Sequence, residues 1–266
     1  MPILERMDQH ERHEHLDRRA FLTRAGLVGA AAASGTLAWT GAAQAGDGIT
    51  SPLKVVIGES TRGRPIRAYL IGNRQARNRY VVLGQMHGDE PAGPYVVLNR
   101  LLDAAPLEDF ALWLIPTINP DGRARGTRTN ARGVDLNRNF PSRTWVYNGA
   151  GTRYFSGPRP ASEPETRALV RFLTRVEPQT VISLHQPLAS VDFSGGDEEV
   201  TRWLARNLRL PVANIQVSGG GTMTSWFNRE YRRRTAVTVE LPPSTSPEYR
   251  KRVADVLLQH AEHRRV

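Results

Sequence analysis

The chain has 266 residues, 39% of them hydrophobic, which is enough for one large domain or two small ones around an ordinary globular core. It has no cysteine, so disulfide scaffolds, thiolate metal sites and cysteine nucleophiles are excluded. Its formal net charge of +10 is almost all arginine, with lysine only at positions 54 and 251. That charge is scattered and comes with no DNA- or RNA-binding motif, so it implies no nucleic-acid partner, only affinity for anionic polymers.

Residues 1–45 read as an address. Asp17-Arg18-Arg19-Ala20-Phe21-Leu22-Thr23 precedes a weakly apolar Gly/Ala run from Ala25 to Ala42, and Ala43-Gln44-Ala45 supplies small residues for a signal peptidase. The segment resembles a twin-arginine export signal, with Asp17 and Thr23 departing from that pattern at its two ends. Its run is short and polar for a stable membrane span, so cleavage is expected, leaving an exported protein with no span. His10, His13 and His15 lie in this polar leader and read as a solvated tract.

From residue 46 onward one catalytic domain is expected. Lys54–Ile57 and Ile66–Ile71 form a β-pair around Arg62-Gly63-Arg64-Pro65. Tyr80–Gly84 and Ala111–Ile115 are short apolar strands separated by a helix over Ala92–Ala104. Asn119 to Ser156 is a loop rich in Gly, Pro, Asn and Arg, too long for a plain connector and therefore functional. Ser162-Glu163-Pro164-Glu165 reads as a capping box opening a helix to about Val176, which assigns both carboxylates to structure. A strand over Thr180–His185, a helix over Glu199–Leu208, a strand over Thr235–Glu240 and an amphipathic helix over Glu248–Glu262 complete one mixed α/β domain.

Beyond the leader there are four histidines, at 87, 185, 260 and 263. His260 and His263 sit among Gln, Glu and Arg on the terminal helix, where solvent exposure is expected. His87 follows one apolar strand and His185 closes another, and Glu90 stands three residues after His87. Two imidazoles and a carboxylate make a three-ligand zinc site with a fourth position open to water, whose pKa zinc lowers toward about 7. Glu240 closes the apolar strand Thr235–Val239, where a carboxylate is expensive unless paired or functional, and it is the candidate base.

The set His87-Gly88-Asp89-Glu90, Asn119-Pro120-Asp121-Gly122, Asp135-Leu136-Asn137-Arg138-Asn139-Phe140, His185 and Glu240 resembles the zinc carboxypeptidases of the carboxypeptidase A type, from about Val81 to Pro243. The resemblance implies a single α/β domain with a mixed, mostly eight-stranded sheet flanked by helices. It implies one zinc held by His87, Glu90 and His185, with Glu240 as general base and acid. It further implies that Asn137 and Arg138 bind the substrate's terminal carboxylate, that Arg128 faces the oxyanion, and that Asp135 orients the first ligand histidine. Arg123, Arg125 and Arg132 compete with Arg128 for that place.

Gly133–Pro141, Ser162–Thr166, His185–Ala189 and Glu240–Pro243 are similar to the bacterial murein tripeptide amidases, which hydrolyse the γ-D-glutamyl–meso-diaminopimelate bond of cell-wall peptides. Those enzymes are cytoplasmic recyclers, whereas this chain opens with an export leader. The digestive members also carry a pocket Tyr, which Asn214–Ser218 lacks, and no role transfers to Gln216. Met223, after Gly219-Gly220-Gly221, matches the specificity position at the pocket floor and argues against a strongly cation-selective pocket. The Arg232–Arg234 run reads as a solvated edge. The alternatives are a general carboxypeptidase acting on extracellular L-peptides and an inactive cell-wall binding protein.

Overall fold

A computed structural model describes residues 52–90, 93–103, 109–193, 195–215 and 220–263, and eight strands organise them. The strands are β1 (Leu53–Glu59), β2 (Pro65–Gly72), β3 (Asn78–Leu83), β4 (Phe110–Ile115), β5 (Thr180–His185), β6 (Ser190–Asp192), β7 (Val212–Ala213) and β8 (Thr235–Glu240). The helices are α1 (Gly93–Leu101), α2 (Pro120–Arg125), α3 (Pro164–Val176), α4 (Glu198–Leu208), α5 (Met223–Glu230) and α6 (Pro247–His263), with one 3-10 turn at Leu136–Arg138. The sheet order is β1-β2-β4-β3-β5-β8-β6-β7. The central β4, β3, β5 and β8 run parallel, and β2 and β6 flank them antiparallel.

β4 and β5 are buried along their whole length, because helices cover both faces of the sheet. On one face Val82, Leu112, Leu114, Ile182, Leu184, Val237 and Val239 pack with Leu98 of α1, Leu204 of α4 and Leu257 of α6. Side chains alternate across a strand, so Trp113 points the other way and meets Phe172 of α3 edge-on at 5.4 Å between ring centres. Helix α3 buries Ala168, Leu169, Phe172, Leu173 and Val176, one stripe at helical spacing. Each large apolar side chain buried this way contributes about 1.5–3 kcal/mol.

The mixed eight-stranded sheet flanked by helices is the expected architecture. Its two shortest strands, β6 and β7, are too short to show alternation in the sequence, and the long segment after Asn119 holds α2 and the 3-10 turn.

Two local expectations are corrected. His260 is buried at 3% exposure: its Nδ1 and the Tyr80 hydroxyl hydrogen-bond at 2.8 Å, and the Trp203 ring lies 4.8 Å away. It shares the buried face of α6 with Val253, Val256, Leu257 and Ala261, so helical spacing outweighs its polar character. The side chain of His263 lies outside the described residues.

The capping box does not form either. Helix α3 starts at Pro164, and its N-cap Glu163 makes no side-chain cap bond. Instead Ser162 Oγ donates to Glu163 Oε1 at 2.7 Å, and Asn130 Nδ2 donates to Glu163 Oε2 at 2.8 Å and Glu165 Oε2 at 3.2 Å. The Thr61 amide donates to Glu165 Oε1 at 2.8 Å. Both carboxylates remain structural, but they fasten the β1–β2 turn to the loop carrying Asn130 rather than cap a helix. Burial pushes the Glu165 carboxyl above the usual range, and the bonds from Thr61 and Asn130 oppose that shift.

Candidate active site

Parallel strands deliver their C-terminal ends to one edge of a sheet, and such edges gather functional groups. Here β5 ends on His185 and β8 on Glu240, and the two residues are register partners. Beside them, β3 ends at Leu83 and the chain runs on through Gln85, at φ 39°, to His87. That left-handed backbone costs a non-glycine residue about 1–2 kcal/mol.

The segment His87–Glu90 rests on Asn119–Gly122, and glycine makes the approach possible. A Cβ at Gly88 would run into the backbone of Gly122 and Arg123. Asn119 caps α2 by accepting from Gly122 N at 2.8 Å, while its Nδ2 donates to the carbonyls of Met86 (3.2 Å) and Arg128 (3.3 Å). Buried Asp121 accepts from Arg62 N at 3.0 Å and Arg64 Nη1 at 2.5 Å. Asn119-Pro120-Asp121-Gly122 is therefore a buttress that fixes His87 relative to Arg128.

His87, Glu90 and His185 are all buried, and one ligand atom from each lies within 4.8 Å of the others. His87 Nδ1 and His185 Nδ1 are 3.3 Å apart, and Glu90 Oε1 lies 2.5 Å from the first and 3.0 Å from the second. Ligands about 2.0–2.1 Å from a tetrahedral zinc stand roughly 3.3 Å apart; the two histidine nitrogens match that spacing, while Glu90 Oε1 sits closer to both and would draw back to share the ion. Glu90 Oε2 is buried with no hydrogen-bond partner among the described residues, as a carboxylate kept for a cation would be.

Both rings are oriented through their other nitrogen. His185 Nε2 and Ser183 Oγ are 3.0 Å apart, and His87 Nε2 is 3.1 Å from Asp135 Oδ1. Burial disfavours a charged His87, but Glu90 and Asp135 overcome it and raise the pKa to about 9. Burial likewise opposes a charged Glu90, yet His185 and His87 bring it down to about 2. His87 would have to give up its proton to serve as a ligand to a cation held by this cluster.

Asp135 is the hub of the surrounding contacts. Its Oδ1 accepts from Asn137 N at 2.9 Å, capping the 3-10 turn, and its Oδ2 accepts from Arg128 Nε at 2.9 Å. Burial alone would raise its carboxyl, but His87, Arg128 and Arg138 hold it well below the usual range. Arg138 is buried at 3% exposure and donates from Nη1 to the Asn137 carbonyl at 2.9 Å. Asn137 Oδ1 accepts from Met223 N at 3.0 Å, which ties the 3-10 turn to the start of α5. Met223 is fully buried. The approach requires Gly221 (φ 67°), where a Cβ would strike the Arg138 carbonyl.

The Glu240 carboxylate is half-buried at the end of β8, and its Oε2 accepts from Leu188 N at 3.4 Å. Burial raises its pKa, as does the charge on Glu90, while His185 and the Leu188 amide oppose the shift.

The structure thus brings His87, Glu90, His185, Asp135, Arg128, Asn137, Arg138, Met223 and Glu240 into one neighbourhood. It also adds contacts that spacing does not single out. Ser183 shares a face of β5 with His185, two residues away, so strand periodicity could have found it. Tyr154 lies far down the long loop, yet its ring centre is 5.4 Å from the Arg128 guanidinium and 5.2 Å from that of Arg138.

Residues 50–199 match the family described as zinc carboxypeptidase. The chain belongs to the zinc carboxypeptidase family. It is 33% identical over 198 residues to murein peptide amidase A of Vibrio campbellii, covering 70% of this chain and 78% of that one. It is 34% identical over 203 residues to murein peptide amidase A of Escherichia coli K12, covering 72% and 82%. The crystal structure of murein-tripeptide amidase MpaA from Escherichia coli O157 superposes with a TM-score of 0.67 at 29% identity, covering 79% of this chain and 92% of that one. Carboxypeptidase A of Helicoverpa armigera shares the fold, at a TM-score of 0.65 and 17% identity, over 81% of this chain and 69% of that one. As a member of this family the protein is a metallopeptidase-type hydrolase.

Proposed function

We propose that this protein is a zinc-dependent amidase that cleaves the γ-D-glutamyl–meso-diaminopimelate bond of peptidoglycan stem peptides. The observation that carries the reading is the buried His87–Glu90–His185 donor cluster with Glu240 beside it at the same sheet edge. The substrate class rests on the similarity to murein peptide amidases across most of both chains. When bound, zinc supplies Lewis acidity, lowering the pKa of water toward about 7 and polarising the scissile carbonyl.

The remaining work falls to the chain's own side chains. Arg138 and Asn137 hold the carboxylate next to the scissile amide, and Met223, buried at the start of α5, backs the pocket that takes the departing residue. Glu240 accepts the proton of the attacking water and delivers it to the leaving amine, for which its raised pKa suits it. Arg128 faces the oxygen on which negative charge builds. Asp135 holds both Arg128 and the His87 ring in place.

The purified protein is expected to bind one zinc per chain and to lose it in His185→Ala. Because His87 must give up its proton to bind zinc, apparent affinity should rise with pH up to about 9. Elemental analysis that finds no metal after zinc loading, or full occupancy in His185→Ala, would rule the site out. The first outcome is also what an inactive cell-wall binding protein would give.

A second reading, general carboxypeptidase activity on L-peptides, draws on Met223. That wholly buried, apolar residue offers no charge to a zwitterionic side chain.

Export by the twin-arginine route is part of the same proposal. Residues 1–45 lie outside the described ones, and among the described residues no helix is long and apolar enough to cross a membrane. Changing Arg18 and Arg19 to Lys should leave the precursor inside the cell, and undiminished export of that variant would exclude the route.

A further inference from the structure

Tyr154 is 40% exposed, in a loop whose backbone is tied to the site on both sides of Asn137 and Arg138. Asp135 N donates to the Phe155 carbonyl at 2.8 Å, and Asn139 Nδ2 donates to the Ser156 carbonyl at 2.8 Å. Asn148 N donates to Ser156 Oγ at 2.8 Å, and Tyr147 meets Phe155 edge-on at 6.2 Å. An exposed aromatic is thus held at a fixed place over the segment that carries Asn137 and Arg138.

Its ring serves two cations at once, with the Arg128 and Arg138 guanidiniums 5.4 and 5.2 Å from its centre. These like charges repel each other, and Asp135 supplies one negative charge between them. A second carboxylate here would hold the arginines too, but it would compete with any anionic ligand. An aromatic face attracts a guanidinium without neutralising it and without taking its N–H donors.

We propose that Tyr154 is a positioning residue for carboxylate capture: its ring, which also lies beside Arg128, holds Arg138 ready to receive the carboxylate of the peptide being cut. The inference rests on the functional reading above and names a residue which that reading does not use. It predicts that the π face matters and the hydroxyl does not.

The test compares Tyr154→Phe, Tyr154→Leu and Tyr154→Ala in the full-length, zinc-loaded protein, with zinc content and thermal unfolding confirming the fold of each. The ligand is whichever peptide the wild type cleaves fastest, paired with its C-terminal amide. KM is read by turnover, and Kd by calorimetry in a Glu240→Gln background. Tyr154→Leu and Tyr154→Ala should bind the carboxylate peptide about three- to tenfold more weakly, the factor expected for losing one or two partly exposed cation–π contacts.

Their preference for the carboxylate over the amide should shrink by the same factor, with kcat changed less than KM. Tyr154→Phe should stay within about twofold of wild type, because the ring face remains. Unchanged affinity and preference in Tyr154→Leu, or a Tyr154→Phe as impaired as Tyr154→Ala, would overturn the assignment. Failure of the wild type to cut any peptide would instead overturn the functional reading on which it rests.

Discussion

Glu240→Gln is expected to lower kcat by about 10²–10⁴ while zinc content and KM stay close to wild type. The amide keeps the size and one acceptor of the carboxylate, so the fold of β8 and the bond from Leu188 N need not change. What it loses is the capacity to accept a proton from water and pass it on. Burial, supported by Glu90, raises the pKa of this carboxylate above the ordinary value of 4.5. Only the ionised form accepts a proton, so the wild-type rate should climb with pH through that raised pKa. The ascending limb should therefore lie above the range of an exposed glutamate and vanish in Glu240→Gln. A Gln variant within threefold of the wild-type rate would remove Glu240 from the chemistry.

The second large effect separates two neighbouring arginines. Arg138→Ala should raise KM by about 10–100-fold with a smaller change in kcat, because it removes a charge-assisted bond to a carboxylate present in substrate and transition state alike. Arg128→Ala should chiefly lower kcat, by about 10²–10³, because the charge it faces develops only during the reaction. Arg128 is also the direct partner of Asp135, at 2.9 Å, so its loss loosens the carboxylate that orients His87. That second consequence pushes kcat the same way. If Arg128→Ala changed mainly KM and Arg138→Ala mainly kcat, the two roles would be exchanged.

Much of this site is legible in the sequence because metal chemistry narrows the choice. With few histidines outside the leader, the pair that ends or follows apolar strands is conspicuous, and a carboxylate three residues on completes a ligand set. Glu240 is legible for the related reason that a carboxylate ending an apolar strand needs an explanation. The central strands stand out as apolar runs because both of their faces are covered.

What escapes notice is decided by tertiary contact. His260 looks solvated among polar neighbours, yet its helical position faces the core and Tyr80 satisfies its ring. The Ser162–Glu165 pattern fits a cap, but burying Glu165 beside Thr61 and Asn130 wins over the local bond. Tyr154 carries no sequence signal, because its relation to Arg128 and Arg138 exists only once the loop folds back on Asp135.

The proposed activity is a preference for a stem-peptide amide over ordinary peptide bonds. The most direct test is competition in one vessel between L-Ala-γ-D-Glu-meso-diaminopimelate and L-peptides ending in Phe, Leu, Lys or Arg, with products identified by mass. The proposed function predicts the highest kcat/KM for the tripeptide, giving L-Ala-D-Glu and free meso-diaminopimelate. A higher kcat/KM for any of the L-peptides would contradict it and make the protein a general carboxypeptidase.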